Sequence, residues 1–199
     1  RMNLDTIRIY AISKLSWIKK QQQKFQAQVR EAPREYLNKE GHYFLGSRYL
    51  LKVVEHNAPP VVEIKLKTIH LFVRPGTDIQ KKHIIMEEWY RAQLKELVPP
   101  VIAKWEKAME VSLNEFGIKK MKTKWGTCNR EAKRIWLNLE LAKKPFHCIE
   151  YIILHELVHL LERNHNDKFI GYMDYYLPEW KQLRKELNKL PVSHRDWGY

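Results

Sequence analysis

The residues with the clearest chemical meaning form one short run, His155-Glu156-Leu157-Val158-His159, which has the pattern HExxH. An α-helix advances about 100° per residue, so His155 and His159 project from one face, about one turn apart. Two neutral imidazoles at this spacing can share one tetrahedral zinc ion, whereas Glu156 is angled towards a water molecule on that ion. The pattern therefore predicts a metal site on a helix, with Zn²⁺ as the expected ion because it suits imidazole ligands.

A third ligand is expected from His165, which follows His159 past the predicted end of the helix. Asn164 precedes it and belongs to a residue type that tolerates the left-handed conformation, so we expect it to turn the chain back towards the metal. Three imidazoles leave the fourth position of a tetrahedral ion open, as in catalytic rather than structural zinc sites. The predicted metal ligands are therefore His155, His159 and His165.

The chemistry that this set predicts is metal-assisted hydrolysis. Zinc lowers the pKa of bound water towards about 7, and Glu156 is the predicted general base that accepts its proton during attack on a carbonyl. The same carboxyl group then protonates the leaving amine. A further donor to the oxyanion is expected but not identified; Tyr172, Tyr175 and Tyr176 are candidates, although packing in a core is the favoured role for each of them.

Chance is a poor account of the HExxH run, and neither Cys128 nor His147 is expected to join the site. An accidental HExxH is expected only about 0.04 times in a chain of this length and composition, and the motif lies in an apolar helical run with another histidine nearby.

Cys128 is interpreted as a buried or half-buried thiol, because three histidines are already available and no second cysteine is close. His147 lies off the face of His155 and is expected at the surface or as a capping residue.

Around this motif, hydrophobic spacing predicts the other elements. An amphipathic helix is expected over about residues 4–18, and short β-branched and aromatic runs between residues 42 and 73 predict a small antiparallel meander. Thr77 and Gln80 have the spacing of a capping box, which predicts a helix that stops at Pro99-Pro100.

The second half of the chain is expected to be mostly helical. A helix from Pro100 should end at Phe116, with Gly117 as the residue after it. A hairpin of residues 118–128 and 134–141 follows, and the apolar HExxH helix begins after Pro145. Two helices separated at Pro178 complete the chain. The predicted fold class is α+β.

Composition limits the class of protein. The chain has 199 residues, 44% of them hydrophobic, and a net charge of +13. No apolar run is long enough to span a membrane, so a membrane partner is not expected. The start of the sequence lacks the pattern of a signal peptide, which favours a cytoplasmic location, and the arginine at position 1 suggests that an upstream segment is missing. The positive charge favours acidic partners, although lysines also simply solvate helix faces.

Several segments together resemble the YgjP-like zinc metallopeptidases, which are related to the SprT-like and WLM peptidases. The segments that carry the resemblance are Lys124-Trp125-Gly126-Thr127-Cys128, Ile135-Trp136-Leu137-Asn138-Leu139, residues 151–160 (YIILHELVHL), residues 164–169 (NHNDKF), Glu88-Trp89-Tyr90, residues 41–46 (GHYFLG) and Leu177-Pro178-Glu179-Trp180. They extend over most of the chain. The family usually has WGSC where this chain has WGTC, a change that keeps the hydroxyl group.

The resemblance implies a zincin-like α+β fold, in which the HExxH helix packs beside a small antiparallel sheet and the WGTC hairpin flanks it. Carried over by position, His155, His159 and His165 match the zinc ligands of the family, and Glu156 matches its catalytic glutamate. We expect residues 1–75 to hold the first helix and the meander and residues 76–199 the metallopeptidase domain, with the two forming one compact unit.

The leading prediction is a zinc metallopeptidase that acts on protein or peptide substrates, and two alternatives remain open. Some YgjP-like proteins are described as nucleotide pyrophosphatases, and zinc also activates water against phosphoanhydrides. Nucleotide hydrolysis is the less favoured of the two activities, because the sequence has no glycine-rich phosphate loop. A DNA-associated protease is the other alternative, with Lys119, Lys120, Lys122 and Lys124 as candidate phosphate contacts, although solvation is the favoured role of these lysines.

Overall fold

A computed structural model describes residues 3–27 and 33–191. The elements in chain order are α1 (Leu4–Ala27), β1 (Gly41–Phe44), β2 (Ser47–Glu55), β3 (Val61–Lys65), β4 (Thr68–Val73), α2 (Ile79–Met109), β5 (Glu115–Lys119), β6 (Gly126–Asn129), β7 (Arg134–Asn138), a 3₁₀ helix (Leu139–Lys143), α3 (Phe146–Leu161), α4 (Asp167–Tyr176) and α5 (Trp180–Lys189). The predicted α+β class is confirmed. Over the described residues, none of the helices combines the length and the hydropathy that a membrane span requires.

The chain divides into two units. Residues 33–188 form one of them and contain both sheets and the HExxH helix, whereas α1 belongs to the other. The helix predicted over residues 4–18 is confirmed as part of α1, and its apolar side chains are exposed, with Leu4 at 69% and Leu15 at 48%. The division predicted between residues 75 and 76 stays a prediction.

Strands β1 to β4 form a four-stranded sheet in the order β1-β2-β4-β3, so the predicted antiparallel meander is wrong in part. Strand β4 inserts between β2 and β3 and runs parallel to β2, while the other two pairs are antiparallel. The burial of the strands explains this order. Ile69, Leu71 and Val73 of β4 are at most 1% exposed, whereas Glu63 and Lys65 of β3 are exposed and suit an edge strand.

Strands β5, β7 and β6 form a second sheet with β7 in the centre. The predicted hairpin is confirmed for β6 and β7, which are antiparallel. Strand β5 is parallel to β7, so the small sheet beside the HExxH helix is mixed and not wholly antiparallel. Phe116 and Gly117 belong to β5, so the helix end predicted at these residues is wrong. Glycine is needed there because an added Cβ would collide with the ring of Trp136.

Helix α2 runs without a break through Pro99 and Pro100, so the predicted stop at these residues is wrong. Both prolines lie on the exposed face, where water can reach the carbonyl groups that they leave without an amide donor. Buried Val98 and Val101 continue the apolar stripe across this point. The helix is capped by Asp78, whose carboxylate accepts a hydrogen bond from the Lys81 amide at 2.7 Å, and not by the predicted Thr77.

Helix α3 occupies the centre of the unit formed by residues 33–188. It begins after Pro145, as predicted, and packs against α2 and β6. Ile149, Ile153, Leu154 and Leu157 are completely buried. The buried faces fix the rotation of the helix, and this rotation determines where His155, Glu156 and His159 point. The predicted separation of the last two helices around Pro178 is also confirmed, since α4 ends at Tyr176 and α5 begins at Trp180.

Candidate metal centre

The structure brings the three predicted histidines together. His155 and His159 lie on α3, and His165 lies in the connection between α3 and α4. One ring nitrogen from each of the three falls within 4.8 Å of the others. The Nε2 atoms of His155 and His165 are 3.0 Å apart, and the three ring centroids are separated by 4.7 to 5.0 Å. These nitrogen atoms therefore converge on a common centre.

The connection that carries His165 is held by side chains at its two ends. The carboxylate of Glu162 accepts a hydrogen bond from the Asn164 amide at 3.1 Å, and Asn166 caps α4 by accepting one from the Phe169 amide at 3.1 Å. Asn164 does not have a positive φ, so the left-handed reversal predicted there is wrong. Turn-forming side chains of Glu162 and Asn166 achieve the same return of the chain.

A single aromatic ring supports the histidine cluster. Phe169 is 1% exposed, and its ring centroid lies 4.6 to 5.0 Å from the centroids of all three imidazoles. It is brought there by the first turn of α4. Contact with this buried ring restricts the rotation of the imidazoles and so helps to position their nitrogen atoms for an ion.

Desolvation favours the neutral form of the three imidazoles, which is the form that a metal requires. Desolvation, followed by the neighbouring His159 and His165, lowers the pKa of His155 to about 3. Desolvation is also the main cause that lowers the pKa of His159 and of His165. His159 directs Nδ1 to the Glu162 carbonyl at 3.1 Å, which leaves its Nε2 for the cluster. Three neutral nitrogen donors at this separation fit a divalent ion such as Zn²⁺.

Glu156 points from the same turn of α3 towards β6. It is 5% exposed, and desolvation raises the pKa of its carboxyl group to about 8, although Lys124 acts in the opposite direction. The space for this carboxyl group exists because Gly126 has no side chain. A Cβ atom at Gly126 would lie 2.6 Å from both Cγ and Oε1 of Glu156. The glycine of the WGTC segment is thus required by the position of Glu156.

The histidines and Glu156 line an open cleft of about 1090 Å³. Its walls come from residues 124–131, from α3 and the connection that follows it, and from α5. Apolar side chains of Trp125, Ile152, Leu160 and Leu187 share the lining with four cationic residues, Lys124, Arg130, Arg163 and Arg184. A cleft of this size, with a few convergent polar groups, is typical of a ligand-binding site.

The sequence profile of the YgjP-like metallopeptidase domain matches residues 1–190. The chain belongs to the YgjP-like family. The resemblance predicted from the sequence is therefore confirmed, and membership in a metallopeptidase family makes this chain a metallohydrolase by class. A family of this kind implies a divalent metal ion as cofactor.

Among solved structures, two metallopeptidase zymogens are similar to parts of this YgjP-like chain. Jannalysin of Methanocaldococcus jannaschii is 25% identical over 44% of this chain and 90% of its own, with a TM-score of 0.40. Abylysin of Pyrococcus abyssi is 18% identical over 49% of this chain and 99% of its own, with a TM-score of 0.43. No curated protein matches the chain. Both TM-scores are low, so the assignment rests on the family profile.

Asn138 organises one wall of the cleft in this YgjP-like chain. Its side-chain amide donates to the carbonyls of Met121 at 3.0 Å and Lys124 at 2.8 Å, and its Oδ1 accepts from the Met121 amide at 3.3 Å. Its own amide donates to the Trp125 carbonyl at 2.9 Å. Asn138 is 4% exposed and thus fixes the loop that leads into β6. Its position as one of two polar residues in the apolar run of residues 135–141 was the sequence signal for it.

The predicted oxyanion donors lie elsewhere. Of the described residues, Tyr172, Tyr175 and Tyr176 do not line the cleft, and Tyr175 is 79% exposed. Tyr151 does line it, with its ring 6.0 Å from that of His155, and desolvation raises the pKa of its hydroxyl group. Its position four residues before His155 on a helix was the available signal, because residues at this spacing share a face.

The remaining candidates have the expected environments. Cys128 lines the cleft as a half-buried thiol, and desolvation followed by Glu156 raises its pKa to about 11. His147 is exposed at the surface, as predicted, and its Nε2 lies 2.8 Å from Glu186. Of the four lysines considered as DNA contacts, Lys120 pairs with Glu87 and Lys119 lies over the ring of Trp136.

Proposed function

We propose that this chain is a zinc-dependent metallopeptidase with a zincin-like active site, in which His155, His159 and His165 hold the ion and Glu156 is the general base. The observation that carries the proposal is the convergence of three neutral imidazole nitrogens beside a buried carboxyl group in an open cleft. A site with three protein nitrogens leaves a position for chemistry, unlike a closed structural site.

The bound ion and Glu156 have different roles in the proposed hydrolysis. When bound, the ion would act as a Lewis acid towards the scissile carbonyl and towards water, and its charge would favour the carboxylate form of Glu156. Glu156 then accepts a proton from the attacking water at a carboxylate oxygen and delivers it to the nitrogen of the leaving amine. Burial of Glu156 excludes bulk water from this transfer, and the missing side chain of Gly126 leaves room for the carboxyl group.

An extended peptide also has a place to bind. Strand β6 is an edge strand, since β7 is its only neighbour among the described strands, and all four of its residues line the cleft. The free edge of a strand offers backbone donors and acceptors that can pair with an added peptide strand. Because β6 also packs against α3, a peptide at this edge lies next to the turn that carries Glu156.

The test is a comparison of the zinc-loaded protein with its Glu156→Gln variant on a denatured protein substrate. Loss of turnover in the variant, with its zinc content unchanged, is expected, because the amide cannot accept the proton. Glu150→Gln is the matched control: Glu150 lies on the same helix, but its partner is Lys104, 2.6 Å away and outside the cleft. Equal turnover by the wild-type protein and Glu156→Gln would refute the proposal.

The identity of the metal needs a separate measurement. Elemental analysis of the untagged protein should give one zinc per chain, and the His155→Ala variant should lose most of it, since two imidazoles hold zinc less tightly than three. Retention of the full zinc content in His155→Ala would refute the ligand set. This result would be independent of the choice of substrate.

Nucleotide hydrolysis is the second candidate function, and the cations around the cleft favour it. The cleft that contains the histidines is lined by four cations, Lys124, Arg130, Arg163 and Arg184. A guanidinium group can donate two parallel hydrogen bonds to two oxygens of one phosphate. Release of phosphate or pyrophosphate from a panel of nucleoside triphosphates, abolished by Glu156→Gln, would establish this activity. Absence of release at saturating zinc would eliminate it.

A further inference from the structure

We infer that the cleft selects acidic peptides, through a cationic rim formed by Lys124, Arg130, Arg163 and Arg184. The inference rests on the proposed peptidase function and goes beyond it, because it names the chemical class of the substrate. Acidic side chains on either side of the cleaved bond, or the carboxylate at the end of a peptide, are the groups that this rim would bind.

Several cations in the described part of the molecule are held in ion pairs, and the rim residues are not among them. Elsewhere in residues 33–191, Lys104 pairs with Glu150, Lys143 with Glu140 and Arg134 with Glu115. None of the four rim side chains forms an ion pair with a described carboxylate. Their charges are thus available to a ligand, in a molecule whose total charge is +13.

The cleft contains little negative charge of its own. Among the described residues, only Glu131 and Glu156 contribute carboxyl groups to its lining, against the four cations. Glu156 is buried beside Gly126 and therefore does not reach the rim. Several like charges around a concave surface reinforce one another and raise the local concentration of ligands with the opposite charge.

The four cations of the rim come from four separate parts of the chain. Lys124 precedes β6, Arg130 follows β6, Arg163 follows α3, and Arg184 lies on α5. All four line the same cleft as His155, His159 and His165. A ligand bound over the histidines therefore lies in a cleft whose lining carries four positive charges.

The surface between the cations favours a peptide over a nucleic acid. Apolar side chains of Trp125, Ile152, Leu160 and Leu187 line the cleft together with the rim residues, and so do all four residues of the edge strand β6. An extended peptide offers apolar side chains and backbone amides to such a surface, together with its carboxylates. A phosphate backbone would use the charges but leave the half-buried side chains of Trp125 and Leu160 and the strand edge without partners.

The size of the effect follows from exposed ion pairs. Each exposed ion pair raises binding affinity by roughly 1.5- to 5-fold. A peptide that forms ion pairs with three rim residues should therefore bind about 10-fold more tightly than a neutral peptide. Screening at high ionic strength should remove most of this gain, because the Debye length falls to about 3 Å at 1 M salt. The dependence on salt distinguishes charge selection from shape selection.

The experiment uses the full zinc-loaded chain and three fluorogenic peptides with one core sequence, flanked by Asp/Glu, by Asn/Gln or by Lys/Arg. Values of kcat/KM are measured for the wild-type protein, for Arg184→Gln and for Lys185→Gln. Lys185 is the matched control: it lies next to Arg184 on α5, is exposed and is outside the cleft lining. In parallel, binding of the same peptides to zinc-loaded Glu156→Gln is measured by anisotropy, with Arg130→Gln added as a second rim change.

The expected result is a preference of about 10-fold for the acidic peptide, reduced 2- to 5-fold by Arg184→Gln for that peptide alone and unaffected by Lys185→Gln. Equal rates for the three peptides, or equal effects of Arg184→Gln and Lys185→Gln, would overturn the inference. Tighter binding of single-stranded DNA or a nucleoside triphosphate than of the acidic peptide, through Arg184 and Arg130, would also overturn it. If no peptide is cleaved, the proposed function fails, and the anisotropy measurement alone decides the question of acidic peptides.

Discussion

Replacement of Gly126 by alanine is expected to inactivate the enzyme without removing its metal. The added Cβ would lie 2.6 Å from Cγ and Oε1 of Glu156 and 2.8 Å from its Cδ. Comfortable contacts between carbon atoms begin near 3.5 Å, so the carboxyl group or the backbone of β6 must move by about 1 Å. Because Cγ is close to the helix backbone and Glu156 is buried, rotation of the carboxyl end alone does not relieve the clash.

The magnitude follows from this displacement. A shift of about 1 Å in a catalytic group typically lowers the rate by about 100-fold, because the proton is no longer within reach in the transition state. Overpacking of a buried site costs about 1–3 kcal/mol of stability, which leaves most chains of this size folded. The three atoms nearest to the new methyl group all belong to Glu156, so zinc binding should be retained.

The assay measures kcat/KM on the best peptide substrate, together with the zinc content and the thermal unfolding of each protein. Gly171→Ala is the matched control, because a Cβ at Gly171 in α4 meets no atom within 4 Å. It should retain full activity and gain up to about 1 kcal/mol from the helix propensity of alanine. If the kcat/KM of Gly126→Ala stays within threefold of the wild type, Glu156 is not a base whose position depends on the space beside Gly126, and the prediction is refuted.

Three further predictions concern the metal, its support and a distant tyrosine. Zinc at about 100 times its Kd should raise the free energy of unfolding by about 2.7 kcal/mol, and an equal response of His165→Ala in thermal unfolding would contradict the ligand set. Phe169→Ala should lower the free energy of unfolding in urea by about 3–5 kcal/mol and should also bind zinc more weakly. Phe169→Leu should lower the free energy of unfolding by less. Unchanged zinc affinity in Phe169→Ala would show that the ring does not position the imidazoles. Desolvation, followed by Glu87 and Glu40, raises the pKa of Tyr36 above its ordinary value of 10.0, so the folded state holds this proton more tightly than the unfolded chain. The stability of the wild type relative to Tyr36→Phe should therefore be constant below pH 10 and fall by up to about 1.4 kcal/mol per pH unit above it, and parallel pH profiles of the two proteins would refute the reasoning.

Local patterns in the sequence were sufficient to predict the helices around the histidines. The period of the apolar residues after Pro145 predicted α3, and proline at position 178 predicted the separation of α4 from α5. Both signals act within a few residues, through side-chain periodicity and through the restriction that proline imposes on its predecessor. The β6–β7 hairpin was predictable for the same reason.

Longer-range features were predicted incorrectly because they depend on partners distant in the sequence. The insertion of β4 beside β2 depends on the burial of Ile69 and Leu71, which no turn signal records. The continuity of α2 through Pro99 depends on packing of its opposite face, which compensates for the lost hydrogen bonds. In each case tertiary burial outweighed the local preference of the backbone.

The sequence by itself determined which groups can bind a metal. A histidine pair one helical turn apart is fixed by the geometry of α3, and the family assignment follows from the same segments. Only the tertiary structure decided the environment of the site. The space for Glu156 comes from Gly126, and the cationic rim combines residues on both sides of β6, Arg163 after α3 and Arg184 of α5. These groups meet through packing of separate elements, and burial, which shifts the pKa of Glu156 and of the histidines, arises only when those elements are assembled.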